Sequence, residues 1–258
     1  MMTTLKLVHL VVAFVAAPLL LGIINRTKAL FAGRRGQPLL QAYYDIWKLL
    51  RKGAVYSRST SWLFAAGPWI GFAAVVAAAT LVPFGGVRAP IAFPGDFLVL
   101  IYLLGLSRFL LVLSALDTGS SFEGMGASRE VTFSALSEPA LLIALAAVAK
   151  YTGCMSLSDM VVATVPHLWL CAGPIVVLVG LALLIVFLSE NCRIPVDDPN
   201  THLELTMIHE VMVLDHSGPD FGIILYSAAL KMWLLGQVLV GLVVPAHTGV
   251  LWVDTLAV

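Results

Sequence analysis

The chain has 258 residues, 60% of them apolar and 12% charged, with 15 basic and 15 acidic residues and no net charge. Soluble domains carry about 25% charged residues, so a water-facing surface of this size would be starved of charge. These proportions and a mean hydropathy of +0.96 exclude a soluble enzyme, a nucleic-acid binder and a disordered scaffold, and predict an all-α, polytopic membrane helix bundle forming a single integral domain over residues 1–258.

A spanning helix needs about 20 mostly apolar residues. The first stretch that qualifies is Leu7–Ile24. It is too long for the apolar region of a signal peptide, and its only early basic residue is Lys6, so it reads as a retained anchor. The loop 26–60 follows. It holds Arg26, Lys28, Arg34, Arg35, Lys48, Arg51, Lys52 and Arg58 against one acid, Asp45. The positive-inside rule puts this loop in the cytoplasm and the N-terminus outside. Within it, Leu39–Lys52 has helical rhythm. Leu39, Leu40, Tyr43, Ile46, Trp47 and Leu50 fall on one side, and Gln41, Asp45, Lys48 and Arg51 on the other. This predicts an amphipathic membrane-surface helix, introduced by Arg34 and Arg35. Gly33-Arg34-Arg35-Gly36 lacks the ending of a P-loop and carries no nucleotide-binding expectation.

The remaining spans are Trp62–Val82, Phe97–Leu116, Val131–Val148, Leu168–Leu188 and Phe221–Val244. The connections 117–130 and 189–220 then fall inside, and the charge-poor Pro83–Asp96 and Lys150–His167 outside. All unusual polar segments therefore lie on one face. Three charges sit within the spans. Arg108 lies about 12 Å from the cytoplasmic end of the third span, Glu138 about 10 Å into the fourth, and Lys231 about 15 Å into the sixth, at 1.5 Å per residue. An unpaired charge at a helix centre costs about 2.5–3.5 kcal/mol even on the lenient insertion scale. Three at similar depth are less costly in a shared hydrated interior, with Arg108 and Glu138 paired across consecutive antiparallel spans. Pro139, next to Glu138, predicts a kink. The functional reading is a proton or ion path entering from the cytoplasmic face through Glu138, Arg108 and Lys231, bordered by Asp117, Arg129 and Glu130. The competing reading is a static ion pair plus a snorkelling lysine.

Ser189–Gly218 reads SENCRIPVDDPNTHLELTMIHEVMVLDHSG. It carries Glu190, Asp197, Asp198, Glu204, Glu210 and Asp215, one base, Arg193, and three histidines. So long a connection, with apolar residues able to pack, is a functional loop. His202, His209 and His216 are spaced by seven, about 10 Å apart along a helix, so one ion cannot be held by all three, and no metal site is expected. Cys154, Cys171 and Cys192 show no zinc or cluster spacing, so no iron–sulfur centre is expected in this chain.

Three stretches carry a resemblance. Arg34–Leu50 (RRGQPLLQAYYDIWKLL) precedes the second span. Leu116–Glu130 reads LDTGSSFEGMGASRE. Glu190, Arg193, Pro195 and Asp197 form E-x-x-R-x-P-x-D, followed by Glu204-Leu205 and Asp215-His216-Ser217-Gly218. Jointly, in order and spacing, they resemble the membrane subunit shared by respiratory complex I, as its subunit 1, and the membrane-bound group 4 [NiFe] hydrogenases of the formate hydrogenlyase and hydrogenase 4 type. The second stretch is much closer to the hydrogenase branch.

The resemblance implies a non-catalytic subunit in a prokaryotic cell membrane that docks a soluble redox arm and links electron transfer to proton or sodium movement. It implies a path in which Glu138 follows Arg129 at the family's separation. Glu190, Arg193, Asp197, Glu204, Glu210, Asp215 and His216 would form the loop under the redox arm, although His209-Glu210 falls in a part longer than the family pattern. It implies no cofactor in this chain, with the [NiFe] centre and iron–sulfur clusters in partner subunits. Those partners would be hydrogenase-like large and small subunits, a ferredoxin-like iron–sulfur subunit and antiporter-like membrane subunits, with the lipid bilayer around them. The family normally has eight spans; six are counted here. The alternatives are a quinone-site subunit of an NADH:quinone oxidoreductase and a stand-alone secondary ion transporter.

Overall fold

A computed structural model describes residues 2–84, 87–194, 196–197 and 207–243; the side chains of residues 2–7 and 163–171 lie outside that description. The described residues form α1 (Met2–Phe31), α2 (Gln41–Leu50), α3 (Trp62–Ala79), α4 (Asp96–Asp117), α5 (Ser121–Thr152), α6 (Leu157–Glu190), α7 (Ile208–Met212) and α8 (Gly218–Val243). Six of them are long and apolar enough to cross a membrane, which makes the protein a multi-pass helical membrane protein. Helices are the natural solution here because every backbone N–H and C=O finds its partner within the span.

α8 is the central post, contacting α1, α2, α3 and α6, while α3 packs on α4, α4 on α5 and α5 on α6. Small residues bring α3 onto α4. Gly67, Pro68, Gly71, Ala74 and Ala78 are all buried, and a Cβ on Gly67 would lie 2.1 Å from Ser114 Oγ. Between lipid-bathed helices, close packing of small side chains supplies the attraction that the hydrophobic effect supplies in water. The core gathers Leu100, Leu104, Leu145, Leu157, Met160, Leu230 and Leu234. Tyr102, Leu136, Ile143, Leu178 and Ile185 point outward and are exposed, as lipid-facing residues should be.

The structure corrects several sequence-based boundaries. Residues 117–130 are not a loop: α4 ends at Asp117, and α5 starts at Ser121 and runs through Arg129 and Glu130. Ser121–Glu130 is polar for a span because protein covers part of it. Gly126 lets α7 approach, with Met212 Cγ 3.0 Å from where its Cβ would sit. Glu123, in the first turn, is fully buried, where its carboxylate also complements the helix dipole. Nor is Lys150–His167 a loop. Gly153, at φ 71°, caps α5, and α6 begins at Leu157. Asp96 holds this corner by accepting from Ser156 Oγ at 2.7 Å and from the Leu157 N–H at 2.6 Å.

Proline effects differ from the sequence expectation. α5 stays helical through Pro139. The break in helical geometry falls instead in α6 at Ala172 (φ −143°, ψ 36°), two residues before Pro174, whose ring and missing N–H disturb the preceding turn.

A buried arginine–carboxylate cluster as the candidate functional site

α4, α5, α6 and α8 each contribute a charge to one point. Arg108, just past the middle of α4, is 6% exposed at its side chain. Its Nη2 lies 3.2 Å from Glu138 Oε1 and 3.0 Å from Glu190 Oε2, and its Nε 3.8 Å from Glu130 Oε1. Lys231 Nζ on α8 lies 3.7 Å from the same Glu190 oxygen. Ser137 Oγ donates to the other oxygen of Glu190. The Cys192 thiol donates to Glu130 Oε2 at 3.5 Å.

The local sequence explains the convergence. Glu130, Ser137 and Glu138 lie at helical spacing along α5. Gly105, one turn before Arg108, leaves the space Glu138 occupies: a Cβ there would meet Glu138 Oε1 at 3.1 Å. Glu190 is the last residue of α6, so the chain leaves the span at the cluster.

Glu130, Glu190 and Lys231 are buried, whereas the Glu138 side chain is 42% exposed. Three carboxylates face two cations, so the cluster has a formal charge of −1 when all are ionised. A net charge removed from water is costly. A bound proton or cation relieves that cost, which makes the group chemically suited to holding and releasing one.

A second polar group lies where the basic loop meets the start of α8. Tyr56 OH donates to Asp220 Oδ2 at 2.7 Å, and Trp69 Nε1 to Asp220 Oδ1 at 3.0 Å. The bond to Asp220 pushes the Tyr56 phenol pKa up, because the neutral form is the donor. His216 stacks on Phe64, ring centroids 4.0 Å apart; burial lowers its pKa to about 4. The Asp215 N–H donates to Glu123 Oε1 at 3.1 Å.

The other sequence-nominated residues are spread over the same face. Asp197 is buried and accepts from the Ile208 N–H at 3.0 Å. Arg193 Nη2 lies 3.5 Å from Met232 Sδ, and burial pulls its pKa down. Asp117 accepts from the Ser61 N–H at 2.6 Å, tying α4 to α3. Arg129 is half-buried one residue before Glu130, and Glu210 is exposed on α7. Glu204, Asp198 and His202 lie outside the described residues. Of the three histidines spaced by seven, His209 lies on the five-residue α7 and His216 lies beyond its end, so these two do not share a helix.

On the amphipathic α2, Gln41 Nε2 donates to Asp45 Oδ1 at 2.9 Å, and Lys48 is exposed. Arg34 and Arg35 are exposed ahead of it. The helix packs on α8, with Leu49 Cβ 3.2 Å from where a Cβ on Gly222 would sit. Its Tyr43 hydroxyl donates to the Val15 carbonyl of α1.

Sequence reasoning placed Glu190 in the docking loop rather than beside Arg108 and overlooked Ser137, Gly105 and Asp220. Ser137 was the findable one, lying next to an intramembrane glutamate.

Six spans enclosing a buried ionic cluster, open beside Glu138 and overlain by polar segments on one face, define a class of integral membrane proteins with polar groups arranged across the bundle. The chain belongs to the NADH dehydrogenase family, whose pattern it matches over residues 4–254. It is 34% identical over 239 residues to formate hydrogenlyase subunit 4 of Escherichia coli strain K12, covering 93% of this chain and 76% of that protein. It is 33% identical over 240 residues to hydrogenase-4 component C of the same organism, covering 93% and 74%. A subunit of the NADH-quinone oxidoreductase of Anaplasma phagocytophilum is more distant, 25% identical over 217 residues, covering 78% of this chain and 62% of that protein. The fold is shared with a chain of the membrane-bound sulfane sulfur reductase, an archaeal respiratory membrane complex. That match has a TM-score of 0.78 at 19% identity and covers 100% of this chain and 87% of that one.

Proposed function

We propose that the chain is the membrane-anchoring, ion-coupling subunit of a complex-I-related, membrane-bound hydrogenase assembly. It docks the soluble redox arm on the face that carries the basic loop and the 189–220 segment, which is cytoplasmic by the positive-inside rule. The [NiFe] centre and iron–sulfur clusters reside in hydrogenase-like large and small subunits and a ferredoxin-like subunit. Antiporter-like membrane subunits adjoin the bundle. The greater identity to the two hydrogenase-complex proteins than to the NADH-quinone oxidoreductase protein supports this branch.

The observation that carries the coupling role is the convergence of Glu130, Glu138 and Glu190 on Arg108, with Lys231 behind Glu190. A redox event in the docked arm alters the charge above this group. Glu190 exchanges partners between Arg108 and Lys231, and the balance of protonation moves to Glu138, the member with access to the outside of the bundle. Buried charge pairs interact strongly at low dielectric, so a small displacement shifts a proton.

The test is Glu138→Gln in the intact complex, reconstituted in sealed vesicles. Redox turnover of the soluble arm is expected to persist while ion uptake is largely lost. Undiminished uptake in that variant sinks the coupling role. Co-purification of the chain without cluster-bearing proteins sinks the subunit assignment.

A further inference from the structure

Glu130, Cys192 and His209 come from α5, the turn after α6 and the first turn of α7, yet one donor atom of each lies within 4.8 Å of the other two. Glu130 and Cys192 are buried and His209 is half-buried, so the group has one accessible side. A carboxylate oxygen, a thiol sulfur and an imidazole nitrogen are the donor set of zinc-class sites. Donors at about 2.0–2.3 Å from one tetrahedral ion lie roughly 3.3–3.8 Å apart. Side-chain rotation of Glu130 and His209 covers the remaining ångström or so.

Asp197 is a charged neighbour of this group. Asp197 is 3% exposed and holds the start of α7 through Oδ2, which accepts from the Ile208 N–H. Among the described residues its Oδ1 is buried with no hydrogen-bond partner. Its charge acts on both the Cys192 thiol and the His209 ring. A buried carboxylate oxygen without a donor costs free energy unless something satisfies it.

The charge balance agrees. Glu130, Glu138 and Glu190 face Arg108 and Lys231, a formal total of −1. Release of the Cys192 proton makes it −2, the charge a dication neutralises.

We propose that Glu130, Cys192 and His209 form a site for a single thiophilic divalent cation of the zinc class, with Asp197 as a neighbouring buried charge, clamping α5, the end of α6 and α7 together. The ligands come from separated segments, so no zinc spacing shows in the sequence. The bound ion fixes α7 over the buried cluster, and the Cys192 proton leaves to solvent when it binds.

The test uses the full chain with its bound subunits, purified in mild detergent, stripped with a chelator and titrated with Co2+ as a spectroscopic stand-in for zinc. Wild type is expected to show a thiolate-to-cobalt charge-transfer band and tetrahedral d–d bands that saturate at one equivalent and are displaced by Zn2+. Cys192→Ala should remove the charge-transfer band. His209→Ala, at the half-buried ligand and so less disruptive to folding, should weaken Co2+ binding by at least about tenfold. Zinc content should fall by one equivalent in both variants. Wild type and His209→Ala with the same bands and the same zinc content, or wild type with no chelator-sensitive site, overturns the proposal.

Discussion

Arg108 and Glu190 meet at 3.0 Å, one in the interior of α4 and the other at the last residue of α6. The contact joins a membrane-buried cation to the point where the chain enters the polar face. Glu190 also reaches Lys231 at 3.7 Å, so it lies between two cations and has a choice of partner.

Arg108→Met should be strongly destabilising, because it leaves Glu130 and Glu190 buried with their main counter-charge gone. Breaking a buried ion pair costs about 3–5 kcal/mol. The expected outcome is a clear drop in Tm in mild detergent. Arg108→Lys should fall between, since an ammonium cannot present the fork that reaches three carboxylates at once.

Gly105→Ala tests the position of Glu138 without changing any charge. The new Cβ would sit 3.1 Å from Glu138 Oε1, forcing a shift of a few tenths of an ångström in a side chain free to move outward. Stability should change by less than about 1 kcal/mol. If Glu138 passes the ion, transport in vesicles should fall while Tm holds.

At Gly67 a Cβ would lie 2.1 Å from Ser114 Oγ and 3.2 Å from the Leu110 carbonyl. Gly67→Ala should therefore destabilise the α3–α4 contact by about 1–3 kcal/mol. Gly67→Ala combined with Ser114→Ala should recover part of that loss. Thermal melts of the two variants give the comparison.

His216 predicts an acid-sensitive step. In the folded protein its pKa is lowered to about 4 by burial; in the unfolded chain it is near 6.5. Between these values the unfolded state takes up a proton that the folded state refuses, so stability is lost as pH falls from about 6.5 to about 4. The size is of order 3 kcal/mol at full effect. His216→Phe keeps a ring against Phe64 and removes the titration. Its Tm should exceed that of wild type at pH 4.5 by more than at pH 7.5.

Tyr56→Phe removes one of the two donors to the buried Asp220. A hydrogen bond to a charged group is worth about 1.5–3 kcal/mol. The variant should lose stability in that range, and protease cleavage in the basic loop near Tyr56 should become easier.

Much of the bundle was legible in the chain order of its residues. Six apolar stretches specify six spans because a bilayer tolerates little else. The cost of charge in hydrocarbon singles out Arg108, Glu138 and Lys231 before any coordinates, and the rhythm of Leu39–Lys52 is that of α2. The misreadings share one cause. Ser121–Glu130 and Leu157–Val161 are helical although their polarity resembles a loop, because neighbouring protein rather than lipid covers part of each.

Composition and hydropathy alone determined the membrane class, the spans and the gathering of polar segments on one face, since those follow from transfer energies that each segment carries by itself. Tertiary structure decided which carboxylate meets which cation. That choice depends on the rotation of each helix about its axis, set by contacts such as Gly67 with Ser114 and Gly105 with Glu138 between residues distant in the chain. It placed Glu190 between Arg108 and Lys231, and it brought Cys192, His209 and Glu130 together from three separate segments.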